Sequence, residues 1–120
     1  MRAAYKGHAD VMAVLLREGA SVNAQDARYG LTALMKACFK GNVREARIML
    51  ENGADVNAGN VGAHTALMIA AHRGHDRVVE LLLRHGADPN ARDATGKTAL
   101  MYTKSDKVRN LLYRATDFTL

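Results

Sequence analysis

The sequence contains few of the residues that make disulfides, aromatic cores and rigid turns. Its 120 residues include one cysteine, one proline and no tryptophan, and aromatic residues make up 5%. A single cysteine excludes an internal disulfide, and no apolar run is long enough to span a bilayer. The first residues do not form the apolar stretch of a signal peptide. We therefore expect a cytoplasmic protein without membrane contact, whose core consists of small aliphatic side chains.

The charged residues give the chain a net charge of +5, from 17 Lys and Arg against 12 Asp and Glu. The basic residues are spread along the chain and form no polybasic block. This distribution gives only weak support for an acidic partner surface.

What the sequence does contain is a repeat. The tetrapeptide Thr-Ala-Leu-Met occurs three times, starting at Thr32, Thr65 and Thr98, so that each start lies 33 residues after the last. Gly-Ala and Asn-Ala pairs recur in step with it. Self-similarity at such a period is typical of repeat architectures, in which stacked units share one core and no unit is stable alone.

Each unit carries signals for two helices. The threonine that begins each tetrapeptide can cap a helix through its hydroxyl, and Gly96 allows a tight turn before Thr98. Gly41 and Gly74 are placed to end the first helices, because glycine adopts the left-handed conformation without strain. The apolar residues of the second helices are too many for one stripe, which indicates packing on more than one side. These second helices are predicted at residues 10–17, Val43–Glu51 and Asp76–Arg84.

In this register the sequence resembles the ankyrin repeat family. The resemblance is carried by residues 74–88, which end in Gly-Ala-Asp, and by residues 93–100, where glycine precedes a helix that starts with threonine. It covers essentially the whole chain and implies an all-α fold, an ankyrin-repeat solenoid of antiparallel helix pairs with protruding loops. We expect one domain over residues 1–120, divided into a partial repeat (1–26), two repeats (27–60 and 61–93) and a shortened C-terminal capping repeat (94–120).

Two irregularities mark particular regions. One extra residue between Asp26 and Thr32 predicts that the loop 27–31 protrudes. In the last unit, Val108 aligns with Val78 only if three residues are deleted between the helices, and Lys104 replaces a small residue of the sister units. This shorter and more polar unit is predicted to cap the array.

The spacing also predicts that the chain begins inside a helix, so that the first repeat is truncated. Two explanations stay open: an excised piece of a longer array, or a repeat without its first turn. In both cases the apolar side formed by Val11, Val14 and Leu15 would lack a covering repeat. This predicts self-association through the N-terminal edge, domain exchange, or fraying of residues 1–8.

Three patterns suggest chemistry, and the repeat explains each of them. Gly-Lys-Thr at 96–98 fits the end of a phosphate-binding loop, but no buried strand precedes it and the first glycine of that motif is missing. Cys38 occupies a small-residue position of the packed face, which favours a core thiol over a nucleophile. His72 and His75 are three apart, but Gly74 ends the helix between them. We therefore predict no catalytic residue, no cofactor and no metal site.

The resemblance also implies where a partner binds, because ankyrin proteins generally use their concave side, their loop tips and the exposed ends of their first helices. In this sequence the helix-end positions form two ladders in which a ring lies next to a cation, and aromatic and Arg side chains are enriched at interface hot spots. The ladders are Tyr5, Phe39 and His72, and beside them Lys6, Lys40 and Arg73. The loop positions are Arg28, Tyr29, Leu31, Val61, His64, Thr95 and Lys97. A solvated helix face with ring packing between repeats explains the ladders equally well.

We therefore predict a protein–protein interaction module without catalysis, whose partner offers an acidic, partly apolar segment. Two alternatives stay open. The Lys and Arg ladder could bind nucleic acid, in which case affinity would fall steeply with rising salt. Alternatively, the chain could be a purely structural segment of a longer ankyrin array whose binding site lies elsewhere.

Overall fold

The computed structural model describes residues 21–117. Six helices follow one another there, and this part of the chain contains no strand. The helices are α1 (Ala33–Lys40), α2 (Val43–Glu51), α3 (Ala66–Arg73), α4 (Asp76–Arg84), α5 (Ala99–Tyr102) and α6 (Asp106–Asp117). The predictions made for the first residues, which include Tyr5, Lys6, the helix at 10–17 and the N-terminal edge, lie outside the described residues.

The helices pack in two layers. The first helices of successive units, α1, α3 and α5, contact one another in one layer, and the second helices, α2, α4 and α6, do so in the other. Turns of two residues join α1 to α2 and α3 to α4, so each of these pairs folds back on itself. The predicted all-α solenoid of helix pairs is confirmed. Between residues 21 and 117, no helix is both long and apolar enough to cross a bilayer.

Threonine caps begin the first helices of the two complete units. The hydroxyl oxygens of Thr32 and Thr65 accept hydrogen bonds from the amides three residues later, at 3.2 and 3.4 Å. Thr98 is the N-cap residue of α5, as predicted, but the predicted bond to its hydroxyl is wrong, since that hydroxyl caps no amide of the helix. The reason is the shortness of α5, in which the Met101 amide donates instead to the Thr98 carbonyl at 3.1 Å.

Glycine ends α1 and α3, as the sequence predicts. Gly41 and Gly74 both have a φ of 74°, the left-handed conformation. The absence of a side chain at Gly41 also leaves room for the His75 ring, from which a Cβ would lie only 2.7 Å. That ring belongs to the next unit, and its Nε2 lies 3.1 Å from the Phe39 carbonyl oxygen. Because a carbonyl only accepts, Nε2 carries the proton, and its bond ties two successive units together.

The second helices begin and end where the sequence predicts, at Val43–Glu51 and Asp76–Arg84. α4 contacts both α2 and α6, and its Val78 and Leu82 are fully buried. Cys38 is buried in the same core, as predicted, and burial raises its pKa to about 12. The thiol therefore stays protonated at neutral pH, where it is a poor nucleophile.

Asparagine side chains fasten the return loops of successive units. The Asn23 side chain accepts a hydrogen bond from the Asp55 amide at 2.7 Å and donates one to the Gly53 carbonyl at 3.2 Å. Asn57 makes the same two bonds to the following unit, at 2.8 and 3.2 Å. These bonds give a physical reason for the Asn-Ala pair that recurs in the sequence.

The loops that precede the first helices are also bonded to one another. The Val61 amide donates to the Tyr29 carbonyl at 3.0 Å, and the Ala94 amide donates to the Gly62 carbonyl at 2.9 Å. The loops therefore lie side by side and form a continuous surface next to the first helices. In the longer first loop, the Tyr29 side chain is 51% exposed.

The last unit is built differently from the others. α5 ends at Tyr102 after one turn, and Ser105 begins α6 by accepting a hydrogen bond from the Val108 amide at 3.3 Å. Val108 and Leu112 are buried in the layer that α6 forms with α4, which agrees with the deletion inferred from the sequence. Lys104 does not replace a small residue within the first helix, because α5 ends before it. It is an exposed residue of the turn between the two helices.

Candidate partner-binding groove

A groove with a volume of about 600 Å³ lies between the first helices and the loops. Its bottom is apolar, since Met35 and Met68 are buried and Ile69 is half-buried there. Rings and cations stand around this bottom. The lining residues are Leu31, Met35, Lys36, Phe39, Lys40, Asn60, His64, Met68, Ile69, His72, Arg73 and Tyr102. A groove of this size and composition fits an apolar side chain with polar groups beside it.

One wall of the groove is a stack of a cation on a ring. The Arg73 guanidinium carbon lies 4.4 Å from the centre of the Phe39 ring, although the two residues come from successive units. Phe39 stays 53% exposed, so the stack faces solvent. Lys40 follows Phe39 at the end of α1 and places a second cation at this wall. The sequence places rings next to cations, and at this position one such ring, Phe39, contacts a cation, Arg73, of the next unit.

Another part of the wall is Tyr102, at the end of α5. Its ring makes edge contacts with His64 and His72, and the ring centres are 6.0 Å apart in both pairs. The Lys97 ammonium lies 5.7 Å from the centre of the same ring. Tyr102 thus joins two loops and α3 into one surface.

A buried carboxylate holds Tyr102 in place. The tyrosine hydroxyl donates to Oδ2 of Asp93, whose side chain is 0% exposed. Oδ1 of Asp93 accepts from the Thr95 amide at 2.8 Å, the Thr95 hydroxyl at 2.7 Å and the Lys97 amide at 3.0 Å. The pKa of Asp93 lies well below its ordinary value, chiefly because of the hydrogen bond from the Thr95 side chain and, second in size, that from Tyr102. The hydrogen bond to Asp93 also raises the pKa of Tyr102, because the carboxylate stabilises the proton that it accepts.

His64 contacts the same carboxylate. Its Nε2 lies 3.3 Å from Oδ2 of Asp93, and its Nδ1 lies 3.2 Å from Oδ1 of Asn60. The Asn60 atom also accepts from the Gly62 and His64 amides, which identifies it as the oxygen of that amide group. Both ring nitrogens therefore face oxygen atoms, and one imidazole connects the loop at 60–64 to the buried carboxylate of the next loop.

The structure divides the predicted partner-binding residues into two groups. One group lines the groove: Leu31, Phe39, Lys40, His64, His72 and Arg73. The other lies in the loops outside it: Arg28, Tyr29, Val61, Thr95 and Lys97. In this second group Val61 is 74% exposed, and the Arg28 guanidinium carbon lies 5.1 Å from the centre of the Tyr29 ring. Tyr5 and Lys6 lie outside the described residues.

Sequence reasoning missed a groove position that recurs in three units, at Lys36, Ile69 and Tyr102. Each of these residues lies four positions after the threonine at which its unit's first helix begins. In the two complete units the residue three further on is Phe39 or His72, and residues three apart share a helix face. The repeat period and the helical period together could therefore have predicted that Lys36, Ile69 and Tyr102 line the same groove.

The groove is bordered by cations that differ in their partners. The Lys36 ammonium lies 3.7 Å from the Asp26 carboxylate. Among residues 21–117, Lys40 and Arg73 have no carboxylate within ion-pair distance. In the same part of the chain, His, Cys, Asp and Glu side chains do not converge in a group that could hold a metal ion. The arrangement can therefore receive an apolar group and a negative charge together.

Comparison with known families agrees with this architecture. A family model described as ankyrin repeats (3 copies) matches residues 1–93 and residues 58–119. The chain belongs to the ankyrin repeat family. The resemblance seen in the sequence is thereby confirmed.

Among solved structures, this ankyrin repeat domain is similar to the ankyrin repeat domain of Bcl-3, described as a unique member of the IkappaB protein family. The TM-score is 0.80 and the sequence identity is 32%. The match covers 83% of this chain and 44% of that one, so the chain spans less than half of the length of Bcl-3's domain. A comparison with curated protein sequences gives no match. Ankyrin repeats are generally protein–protein interaction modules, and this chain has the architecture of such a scaffold.

Proposed function

We propose that this domain binds another protein through the groove and the adjoining loop tips, and that it has no catalytic activity. The observation that carries the proposal is the combination, in one groove, of an apolar bottom with an exposed ring and two cations, Lys40 and Arg73, that have no carboxylate partner among residues 21–117. Burial of the ring and of the apolar bottom would supply affinity. Lys40 and Arg73 would select a negatively charged segment and speed its approach. The partner is therefore an acidic, partly apolar protein segment.

The described side chains support binding over catalysis. The Cys38 thiol is buried in the core and its pKa is raised to about 12, so it lacks the exposed thiolate that a nucleophile needs. Both oxygens of Asp93 accept hydrogen bonds from the protein itself. A carboxylate used in this way orders its own loop and the wall of the groove.

Paired substitutions test the proposal. Phe39→Ala combined with Arg73→Ala removes the stack and should weaken partner binding by several kcal/mol, because anchors of these types commonly cost about 2 kcal/mol or more each. The measurement is the affinity for a partner that the unaltered domain has captured from a native lysate. Thermal melting of each variant shows whether it is folded.

The matched control lies on α4 of the same repeat. Arg77→Ala combined with Glu80→Ala changes side chains that do not line the groove, and it should leave affinity nearly unchanged. Binding that survives loss of the stack, or that falls equally in the control, would move the site away from the groove.

Salt dependence separates this function from the nucleic-acid alternative. Phosphate contacts release counterions, so affinity would then fall steeply as salt rises. A protein segment held partly by apolar burial would lose much less. A domain that captured no partner through the groove or the loops would instead be a structural segment.

A further inference from the structure

The stack of Arg73 on Phe39 separates two different depressions. One is the apolar groove, and the other is a polar depression of about 710 Å³ on the side of the helix turns. Phe39, Lys40 and Arg73 line both of them, so these three residues form a ridge between the two. A partner that crosses this ridge meets an apolar surface on one side and, on the other, a surface with polar groups among apolar ones.

The polar depression has a positive charge available for binding. Among residues 21–117, no carboxylate lines it. The Arg73 guanidinium carbon lies 4.4 Å from the centre of the Phe39 ring, and a guanidinium stacked on a ring can still bind a carboxylate through its N–H groups. Other polar groups there are already engaged: Asn42 accepts from the Glu45 amide at 3.1 Å, and His75 Nε2 donates to a carbonyl. In the part of the chain that the structure describes, the Lys and Arg cations that line this depression are therefore Lys40 and Arg73.

From this arrangement we infer that the occupant is an extended segment of a partner protein in which an apolar residue and an acidic residue stand two positions apart. The inference rests on the proposed function of the groove. Alternate side chains of an extended chain point to the same side and are separated by roughly 6.4 to 6.8 Å. That step is comparable with the thickness of the stack, in which the Arg73 guanidinium carbon lies 4.4 Å from the centre of the Phe39 ring. The apolar side chain lies over Met68 and Ile69, and the carboxylate lies at Arg73 and Lys40.

The same geometry disfavours a nucleic acid as the occupant. A phosphodiester chain carries a charge at every step, whereas in the lining of the two depressions only Lys40 and Arg73 are Lys or Arg side chains without a carboxylate partner among residues 21–117. The apolar bottom formed by Met35, Met68 and Ile69 offers nothing to a phosphate. An acidic peptide with apolar residues matches both depressions together.

The first experiment selects peptides from a random library displayed on phage, with the full chain as bait. Binding sequences should be enriched in pairs of one large apolar and one acidic residue at a spacing of two, over spacings of one or three. The counter-selection uses Ile69→Asp, which places a charge at the bottom of the groove. Peptides that bind both chains equally would contradict the proposed function itself. Apolar peptides that bind only the unaltered chain, with no acidic residue at that spacing, would overturn the present inference alone.

The second experiment is a double-mutant cycle on one selected peptide. Replacing its acidic residue with the matching amide should weaken binding to the unaltered chain roughly tenfold, as expected for the loss of a charged hydrogen bond. The same replacement should have little effect on a chain carrying Lys40→Gln and Arg73→Gln. The control Arg77→Gln, an exposed residue of α4, should behave like the unaltered chain. Equal losses in the unaltered and the Lys40→Gln, Arg73→Gln chains would place the carboxylate elsewhere and overturn the inference.

Discussion

The repeat formed by α3 and α4 and the last unit formed by α5 and α6 start from the same tetrapeptide and reach different structures. Met68 and Met101 are each the fourth residue of Thr-Ala-Leu-Met, yet Met68 is 2% exposed and Met101 is 63% exposed. α3 has 8 residues and ends at a left-handed glycine, whereas α5 has 4 residues and ends at Thr103 in extended backbone. In a stacked array, the neighbouring units decide the burial of a residue as much as its own sequence does.

The last unit has its own means of attachment. Its second helix has 12 residues and buries Val108 and Leu112. Its short first helix ends at Tyr102, which bonds to the buried carboxylate of the preceding loop. An ion pair joins Lys107 to Asp76 of α4 at 3.0 Å, but exposed pairs of this kind contribute little to stability. Apolar burial and the tyrosine bond therefore account for most of the attachment.

Removing the whole last unit should have the largest effect. A chain that ends at residue 93 loses the layer that covers one side of α4 and the ring that fills one wall of the groove. We expect the free energy of unfolding to fall by several kcal/mol, on the order of what one repeat interface contributes to a marginally stable domain. Urea denaturation measures this. An unchanged transition would show that residues 94–120 are not a cap.

The two methionines test the comparison one residue at a time. Met68→Ala leaves a cavity in the core and should cost about 2 to 5 kcal/mol of unfolding free energy. Met101→Ala changes an exposed side chain and should stay within about 0.5 kcal/mol. Urea unfolding of both variants provides the measurement, and similar losses would mean that the last unit is packed like the central one.

Asp93 gives a smaller effect that depends on pH. Because its pKa in the folded chain lies below its ordinary value of 3.8, its bonds stabilise the fold above that pH. This contribution should be lost as pH falls below 3.8 towards the lowered pKa of the folded state. Asp93→Asn should therefore lower the melting temperature at neutral pH, and the gap to the unaltered chain should narrow in acid. Asp55→Asn, an exposed carboxylate outside the groove, is the control. A gap that stays constant with pH would contradict the assigned role.

The threonine caps should give the smallest effect. Thr65→Ala removes a hydroxyl that accepts from the Met68 amide, and it should cost about 0.5 to 2 kcal/mol. Thr98 makes no such bond, so Thr98→Ala should change stability by only a few tenths of a kcal/mol. The measurement is again urea unfolding, and an equal loss at both threonines would mean that α5 is capped in solution.

Much of the fold could be predicted because its signals are local. Thr32, Gly41 and Gly74 act through bonds to residues a few positions away, and the period repeats them in register. Two of the second helices, Val43–Glu51 and Asp76–Arg84, have the predicted bounds for the same reason. The hydrogen bond predicted for the Thr98 hydroxyl is absent because α5 is short, and the Met101 amide donates to the Thr98 carbonyl instead.

The site was harder to predict than the fold because it depends on contacts between units. The ladders identified Phe39 and Arg73, which contact each other. Tyr102 could not be placed by extending the ladders, since the corresponding position of the last unit lies beyond the end of α5. Asp93 shares its loop position with Asp26, which stays partly exposed, so local sequence does not distinguish them. Only the contacts with Tyr102 and His64 connect this carboxylate to residues that line the groove.

The most direct test of the groove as the binding site is methyl NMR of the domain with a captured partner segment bound. The methyl groups of Met35, Met68 and Ile69 report on the bottom of the groove, and those of Ile48 and Met49 on α2 report on the opposite layer. We expect the largest shift changes at the three groove residues and little change at the two on α2. Changes centred on α2, with the groove methyl groups unmoved, would contradict this account.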